Sequence, residues 1–486
     1  MPGVATNIFH LLTSSVLQKA IAFVYFALIA RWAGVEDTGA YFFALSWTLM
    51  FTTITDMGLT PVLIREAAKD TAATEKYLNQ TLALKLPLTA VAVLAAIVGA
   101  WLFRIAPETR VMVMLAAIVI SLDAISLTFY GVLRAHHVLK YEGLGLIVGQ
   151  TATMLIGLVS LKMGAPMAFL VVALVAGSLW NALASFWIVR TRLKIRVRPS
   201  WDRAFAWKLF RMALPFALAG AFVKIYTNAD AVMLTQFKGE AAAGLYSVPY
   251  KLTFAFQFVP MAFTAAFYPA MSRAYAADRR ALGDLLYKAL WALMLIAAPI
   301  AAGIAALAPE LVMFVYGKDY MPSVIAVQLL ILSVIPIFLD FPIGSLLNAS
   351  DRQMTQTKLM GMATVISVVL NLALIPTYGL IGVVIASIVS HVALLIGGFI
   401  AVGKFLEWPK LRFLGLAVRA SLAAALMGAG VVFAKGYVPF PLAVLLGMAL
   451  YPAAAFALRA VTVRDLKDLL SSVRKPAAPP AADVAA

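Results

Sequence analysis

The chain has 486 residues, of which 63% are hydrophobic and 13% charged, with a mean hydropathy of +0.94 and a formal charge of +17. Soluble domains carry about a quarter charged residues, and apolar runs near 20 residues cross a hydrocarbon core of about 30 Å as helices; a soluble fold is excluded and an all-α polytopic membrane protein is predicted. A β-barrel is excluded too, because its strands alternate over roughly ten residues. The charge reads as a loop bias rather than a nucleic-acid footprint.

Met1–Thr6 has no basic stretch, and the first apolar segment runs to about Ala30, so no cleavable signal peptide is expected. The absence of cysteine removes disulfides and thiolate chemistry. About 14 spans follow in order: 8–31, 41–64, 78–103, 111–134, 142–162, 166–190, 209–236, 244–271, 284–307, 323–347, 355–375, 377–402, 412–434 and 437–459. Only Gly164–Ala165 separates the fifth from the sixth, and only Pro376–Thr377 the eleventh from the twelfth.

Loops after even-numbered spans hold about 25 of the 39 Lys and Arg residues, and loops after odd-numbered spans about 7. That asymmetry places both termini in the cytoplasm. Gly34–Tyr41 (GVEDTGAY) and Gly239–Tyr246 (GEAAAGLY) share Gly, four residues, Gly, one residue, Tyr, at a shift of 205 residues. Each turn has a lysine 15 residues upstream, Lys19 and Lys224, at the same shift. Six spans per repeat is an even number, so the halves run in the same direction about an axis along the membrane normal. The predicted domains are a six-helix lobe (8–190), a basic cytoplasmic linker (191–208), a second six-helix lobe (209–402), two extra helices (412–459) and a cytoplasmic tail (460–486). In the linker Arg192, Lys194, Arg196 and Arg198 alternate with apolar residues ahead of Trp201 and Trp207, a pattern suited to an anionic leaflet. A short interfacial helix over Arg464–Val473 and a disordered Ala/Pro-rich end complete the tail.

Ionisable residues within spans are costly and mark function. Lys19 and Lys224 sit mid-span, and their polar neighbours (Ser14, Ser15, Gln18; Tyr226, Thr227, Asn228) point to a wet cavity rather than lipid. A buried pair such as Lys224 with Asp230 is the structural alternative, but six residues is off the helical neighbour spacing. Lys85, Lys288 and Arg419 lie near cytoplasmic ends and Lys251 near the opposite end, close enough to snorkel. Lys251, Arg419 and Asn228 join the two central lysines as candidate substrate-binding residues. Asp56, Asp123, Asp230 and Asp340 are candidates for ion coupling, and His391 reads first as a structural hydrogen-bond partner. No phosphate-binding glycine loop, metal spacing or HExxH is present. No loop is long enough to hold a sugar acceptor for an enzyme, so no cofactor, metal or catalytic residue is predicted.

The sequence resembles the Wzx-type polysaccharide flippases of the multidrug/oligosaccharidyl-lipid/polysaccharide exporter superfamily. Ala30–Tyr41, Asp56–Leu59 with Arg65–Glu66, Gly239–Leu252, Tyr316–Tyr320 and Asn371–Gly382 carry the resemblance. It implies 14 helices in two six-helix lobes around a cationic central cavity. It also implies alternating-access transport of an undecaprenyl-pyrophosphate-linked oligosaccharide across the bacterial inner membrane. Coupling to H+ or Na+ and cooperation with a polysaccharide polymerase belong to the same expectation. A lipid II type flippase and a cation-coupled multidrug antiporter are the rival readings; mid-membrane lysines argue against the antiporter.

Overall fold

The computed structural model describes residues 4–462, with side chains from residue 13. The helix expected at Arg464–Val473 and the tail beyond it lie outside the described residues. Among the described residues the structure is helical without strands. Before the linker come α1 (Val4–Ala33), α2 (Val35–Asp56), α3 (Leu59–Lys69), α4 (Thr74–Leu102), α5 (Pro107–Ala135), α6 (Lys140–Lys162) and α7 (Ala168–Thr191). After it come α8 (Arg203–Lys238), α9 (Glu240–Ala255), α10 (Phe258–Ala277), α11 (Arg279–Ala306), α12 (Ala308–Val315), α13 (Val324–Leu330), α14 (Val334–Ala349) and α15 (Gln353–Gly403). The last two are α16 (Lys410–Ala434) and α17 (Phe440–Ala457).

Twelve helical stretches are long and apolar enough to cross a membrane. One of them, α15, has 51 residues and is two spans joined at Gly379 (φ 52°, ψ −123°). The eleventh and twelfth spans therefore part three residues beyond Pro376, where a glycine can take the turn. The second span is too polar to stand out by composition, yet α2 packs against α4, α5, α8 and α9 as a span would. Counting both gives the 14 spans read from the sequence.

The second span, expected as one helix over 41–64, is broken. Met57 (φ 43°) and Gly58 (φ 73°) are both left-handed and end α2 before α3 begins. Outward faces are apolar: Leu86, Val91, Leu94 and Val98 on α4 are each more than half exposed. In water such a face would be a liability; in a bilayer it is the surface presented to acyl chains.

The repeat is visible in the backbone. Gly34 has φ 87° and ψ 177°, Gly239 has φ 85° and ψ 176°, and each starts a helix, α2 and α9. Five residues on, Gly39 lies against the Glu240 carbonyl and Gly244 against the Val35 carbonyl. These contacts exchange under the 205-residue shift, so the two turns meet across a local two-fold. Side chains from the opposite half complete the seam. Thr109 Oγ1 donates to Glu240 Oε1 at 2.5 Å, Tyr320 Oη to the Gly34 carbonyl at 3.1 Å, and Arg31 Nη1 to the Phe314 carbonyl at 2.8 Å. All lie at the end of the bundle away from the basic loops.

Candidate functional site

Toward the basic-loop end lies a cavity of about 600 Å³ with polar and apolar walls. Its walls come from α2 and α3 around Gly58, and from α5, α6 and α7; Gln18 of α1 and Phe216, Ala217, Gly220 and Lys224 of α8 complete it. Neutral donors and acceptors are set among apolar side chains that make up the larger share of the surface. Tyr130 Oη donates to Asn181 Oδ1 at 2.7 Å, and Asn181 Nδ2 to the Gly177 carbonyl at 3.1 Å, leaving the amide fixed in direction.

The expected excess of cations is not met by this lining, where Asp56, Asp123 and Glu142 stand against Lys224 and Arg134. Two of the three carboxylates are already paired. Lys85 Nζ reaches Asp56 Oδ1 at 2.5 Å, Thr60 Oγ1 at 2.7 Å and the Ala124 carbonyl at 3.3 Å. Thr60 also donates to Asp56. Lys85 is 3% exposed and does not snorkel as its position suggested; the nearest anion lies on the neighbouring span, and pairing costs less than stretching to the surface. At the basic-loop end Arg134 Nε donates to Glu142 Oε2 at 2.9 Å, and a second arm, Nη2, bonds Oε1. What remains is Lys224 and Asp123. No ion pair joins them among the described residues, yet each is the charged group that bears on the other, and Ser178 donates to the Asp123 carboxylate.

The other candidates are scattered. Lys19 is exposed and is not among the lining residues, whereas its neighbour Gln18 is. Lys251 sits with Nζ above the rings of Phe26 (4.9 Å) and Phe42 (5.9 Å), which belong to the other half. Asn228 is buried and turned onto its own helix, donating to the Lys224 carbonyl at 2.9 Å. Arg419 is exposed on α16 and donates to the Arg459 carbonyl at 3.3 Å, apart from the cavity. Asp340, on α14, has a buried Oδ1 with no hydrogen-bond partner.

Asp230 forms a second polar centre. It is 5% exposed and accepts from Tyr246 Oη at 3.0 Å, Ser367 Oγ at 3.2 Å and Asn371 Nδ2 at 2.6 Å. These donors replace the Lys224–Asp230 pair weighed from the sequence. Asn371 Oδ1 is left buried and unbonded beside it. His391, close by, keeps the structural role expected of it: Nδ1 lies 2.7 Å from the Ser387 carbonyl and the ring packs edge-on to Tyr226. Sequence reasoning missed Gln150, Ser178, Asn181, Tyr130, Arg134 and Glu142 as lining residues. Polar residues at helical spacing along the fourth to sixth spans were the available signal.

Comparison with known proteins now places the chain. The family described as polysaccharide biosynthesis protein matches residues 4–275, more than half of the length. The chain belongs to that family. The MatE family matches residues 215–377 of this polysaccharide biosynthesis family member. No curated protein matches it significantly. Among solved structures it is similar to the lipid II flippase MurJ in an inward closed conformation, with a TM-score of 0.75 and 15% identity over 94% of this chain and 99% of that one. An inward-facing multidrug resistance MATE transporter matches with a TM-score of 0.66 and 15% identity, covering 80% of this chain and 95% of that one. An outward-facing MATE transporter gives 0.58 and 16%, covering 83% and 98%. These likenesses show the fold that the chain shares with those proteins. Their names are those of flippases and transporters, not enzymes.

Proposed function

We propose that this family member is a Wzx-type flippase that carries an undecaprenyl-pyrophosphate-linked oligosaccharide across the bacterial inner membrane, with both termini cytoplasmic. The observation that carries the reading is Lys224, a cation without an ion-pair partner among the described residues, in a cavity where hydroxyls and amides are set among apolar side chains and which the glycine seam shuts off from the far end. Amides and hydroxyls fit sugar hydroxyls, and a lysine replaces part of the hydration a pyrophosphate loses on entering the membrane. The lobes 8–190 and 209–402 would rock about the 191–208 linker, exposing the cavity to either side in turn while the lipid tail stays in the bilayer. A polymerase that accepts the delivered repeat unit is the partner this implies.

Lys224→Ala is expected to lower surface polysaccharide about tenfold or more, the size of one lost charge-assisted hydrogen bond, with membrane abundance unchanged. Lys224→Arg retains part of the activity. Lys19→Ala has a smaller effect, because its side chain lies off the lining. Complementation of a flippase-null strain, with protein level measured alongside, tests this; full activity of the Lys19→Ala, Lys224→Ala double variant would overturn it.

Asp230 is the coupling carboxylate in this reading. Neutral donors and the free Asn371 oxygen leave it able to take up H+ or Na+ without displacing a fixed cation. Asp230→Asn should abolish dependence of transport on the H+ or Na+ gradient while substrate binding persists. Retained gradient dependence would assign coupling to Asp56, Asp123 or Asp340 instead.

A lipid II type substrate is the second reading. The MurJ likeness extends over 94% of the chain, against 80% for the inward-facing MATE transporter, which favours a lipid-linked cargo over a soluble drug. Competition between lipid II and a lipid-linked repeat unit for the purified protein separates the two.

A further inference from the structure

The linker between α7 and α8 is not a slack tether. From Ile195 to Asp202 it runs extended along the start of α4, fixed by its main chain. Arg196 N–H donates to Glu75 Oε2 at 3.0 Å, Asn79 Nδ2 to the Arg196 carbonyl at 3.1 Å, and Arg198 N–H to Asn79 Oδ1 at 2.7 Å. Further along, Gln80 Nε2 donates to Ser200 Oγ and Asp202 N–H to Gln80 Oε1, both at 3.2 Å. Ile195 is buried in an apolar cluster with Leu193 and Val197 packed against it. The alternate residues Arg192, Lys194, Arg196 and Arg198 are all exposed. Beyond them Trp201 and Trp207 are 61% and 54% exposed.

We infer that this segment is a docking strip for anionic phospholipid headgroups of the leaflet on the basic-loop side. An extended chain repeats its side-chain direction every two residues, so Arg196 and Arg198 stand roughly 6.6 Å apart on one side. That spacing is shorter than the screening length of about 8 Å at physiological salt, so neighbouring cations act on one surface together. Arg192, at the helical end of α7, and Lys194, in a left-handed turn (φ 56°), add two exposed cations just ahead of them. The acids beside the strip, Glu75 and Asp202, accept from backbone N–H groups, Asp202 from Ala204 and Phe205 at the start of α8. Exposed tryptophans beside a cationic row match the chemistry of the headgroup layer. An ordinary basic loop offers the same charge in no fixed order. Here the backbone is bonded to α4 and ends by capping α8, so lipid held on the strip also holds the joint between the two halves.

The test uses the full chain in detergent, titrated with phosphatidylglycerol or phosphatidylcholine, with bound lipids counted by native mass spectrometry. The wild type should retain phosphatidylglycerol in preference. A variant with Arg192, Lys194, Arg196 and Arg198 changed to Gln should lose that preference, by about fivefold in affinity per cation removed. Its melting temperature should stay unchanged, because the seat is made by main chain, Asn79 and Gln80. A control variant neutralises four exposed cations elsewhere on the same face: Arg273, Arg280, Lys358 and Lys404. Undiminished phosphatidylglycerol retention by the strip variant overturns the proposal, and so does equal loss in the control, which would make net charge the cause. Should the strip variant melt early, the pair Arg192→Gln, Lys194→Gln outside the bonded stretch gives the same reading.

Discussion

Asp56→Ala is expected to destabilise the protein by about 3–5 kcal/mol, at the lower end of that range, because it leaves Lys85 as an uncompensated buried charge. Lys85 is 4% exposed at its side chain and Asp56 20%, so the lysine is the member that suffers when the pair is broken. Lys85→Met should cost less, since Asp56 keeps the Thr60 hydroxyl and the cavity. The double variant Asp56→Ala, Lys85→Met should recover much of the loss, as apolar replacements of buried pairs often do. Unfolding midpoints in one detergent at one scan rate measure this series. If Asp56→Ala melts with the wild type, the pair is not holding α2, α3 and α4 together.

Gly39→Ala should prevent closure of the far end. A methyl group there would fall on the Glu240 carbonyl, and one at Gly244 would fall on the Val35 carbonyl. Backbone cannot yield as a flexible side chain does, so the halves must part. Because the contacts are reciprocal, Gly39→Ala and Gly244→Ala should act alike, and combining them should add little once the seam is open. The chain has no cysteine of its own, which makes a single introduced thiol a clean reporter. Thr38→Cys, at a position 0% exposed, should go from protected to fully labelled by an impermeant maleimide when either glycine is changed. Ser185→Cys, equally buried within α7, should stay protected and so distinguishes opening from unfolding. Continued protection of Cys at position 38 would show that the seam is not closed by these glycines.

Depth was legible in the sequence; rotation about the helix axis was not. Span count, the 205-residue repeat and the exposed cations of the linker follow from apolar run length, glycine spacing and alternation. Successive helical residues differ by about 100° around the axis, so Gln18 and Lys19 share a depth while only Gln18 reaches the cavity. Pairing between spans is equally hidden. Nothing local links Lys85 to Asp56, or Asp230 to Asn371, which is 141 residues away. The break at Met57 and Gly58 was missed because a left-handed methionine leaves no compositional trace; only its glycine neighbour hinted at it.

The polar lining of the cavity lies almost entirely on helices ahead of the linker; the later half supplies one helix face, with Lys224 as its charged member. Under the proposed function, recognition of the variable portion of a cargo and recognition of its invariant anionic group would be housed on different stretches of the gene. Exchanging α5 to α7 between two homologues should transplant the preference for one glycan over another, while the lysine that meets what all such cargoes share stays behind. On that reading, diversification of the sugar would proceed by change in one half alone, with the proposed coupling carboxylate Asp230 left in place.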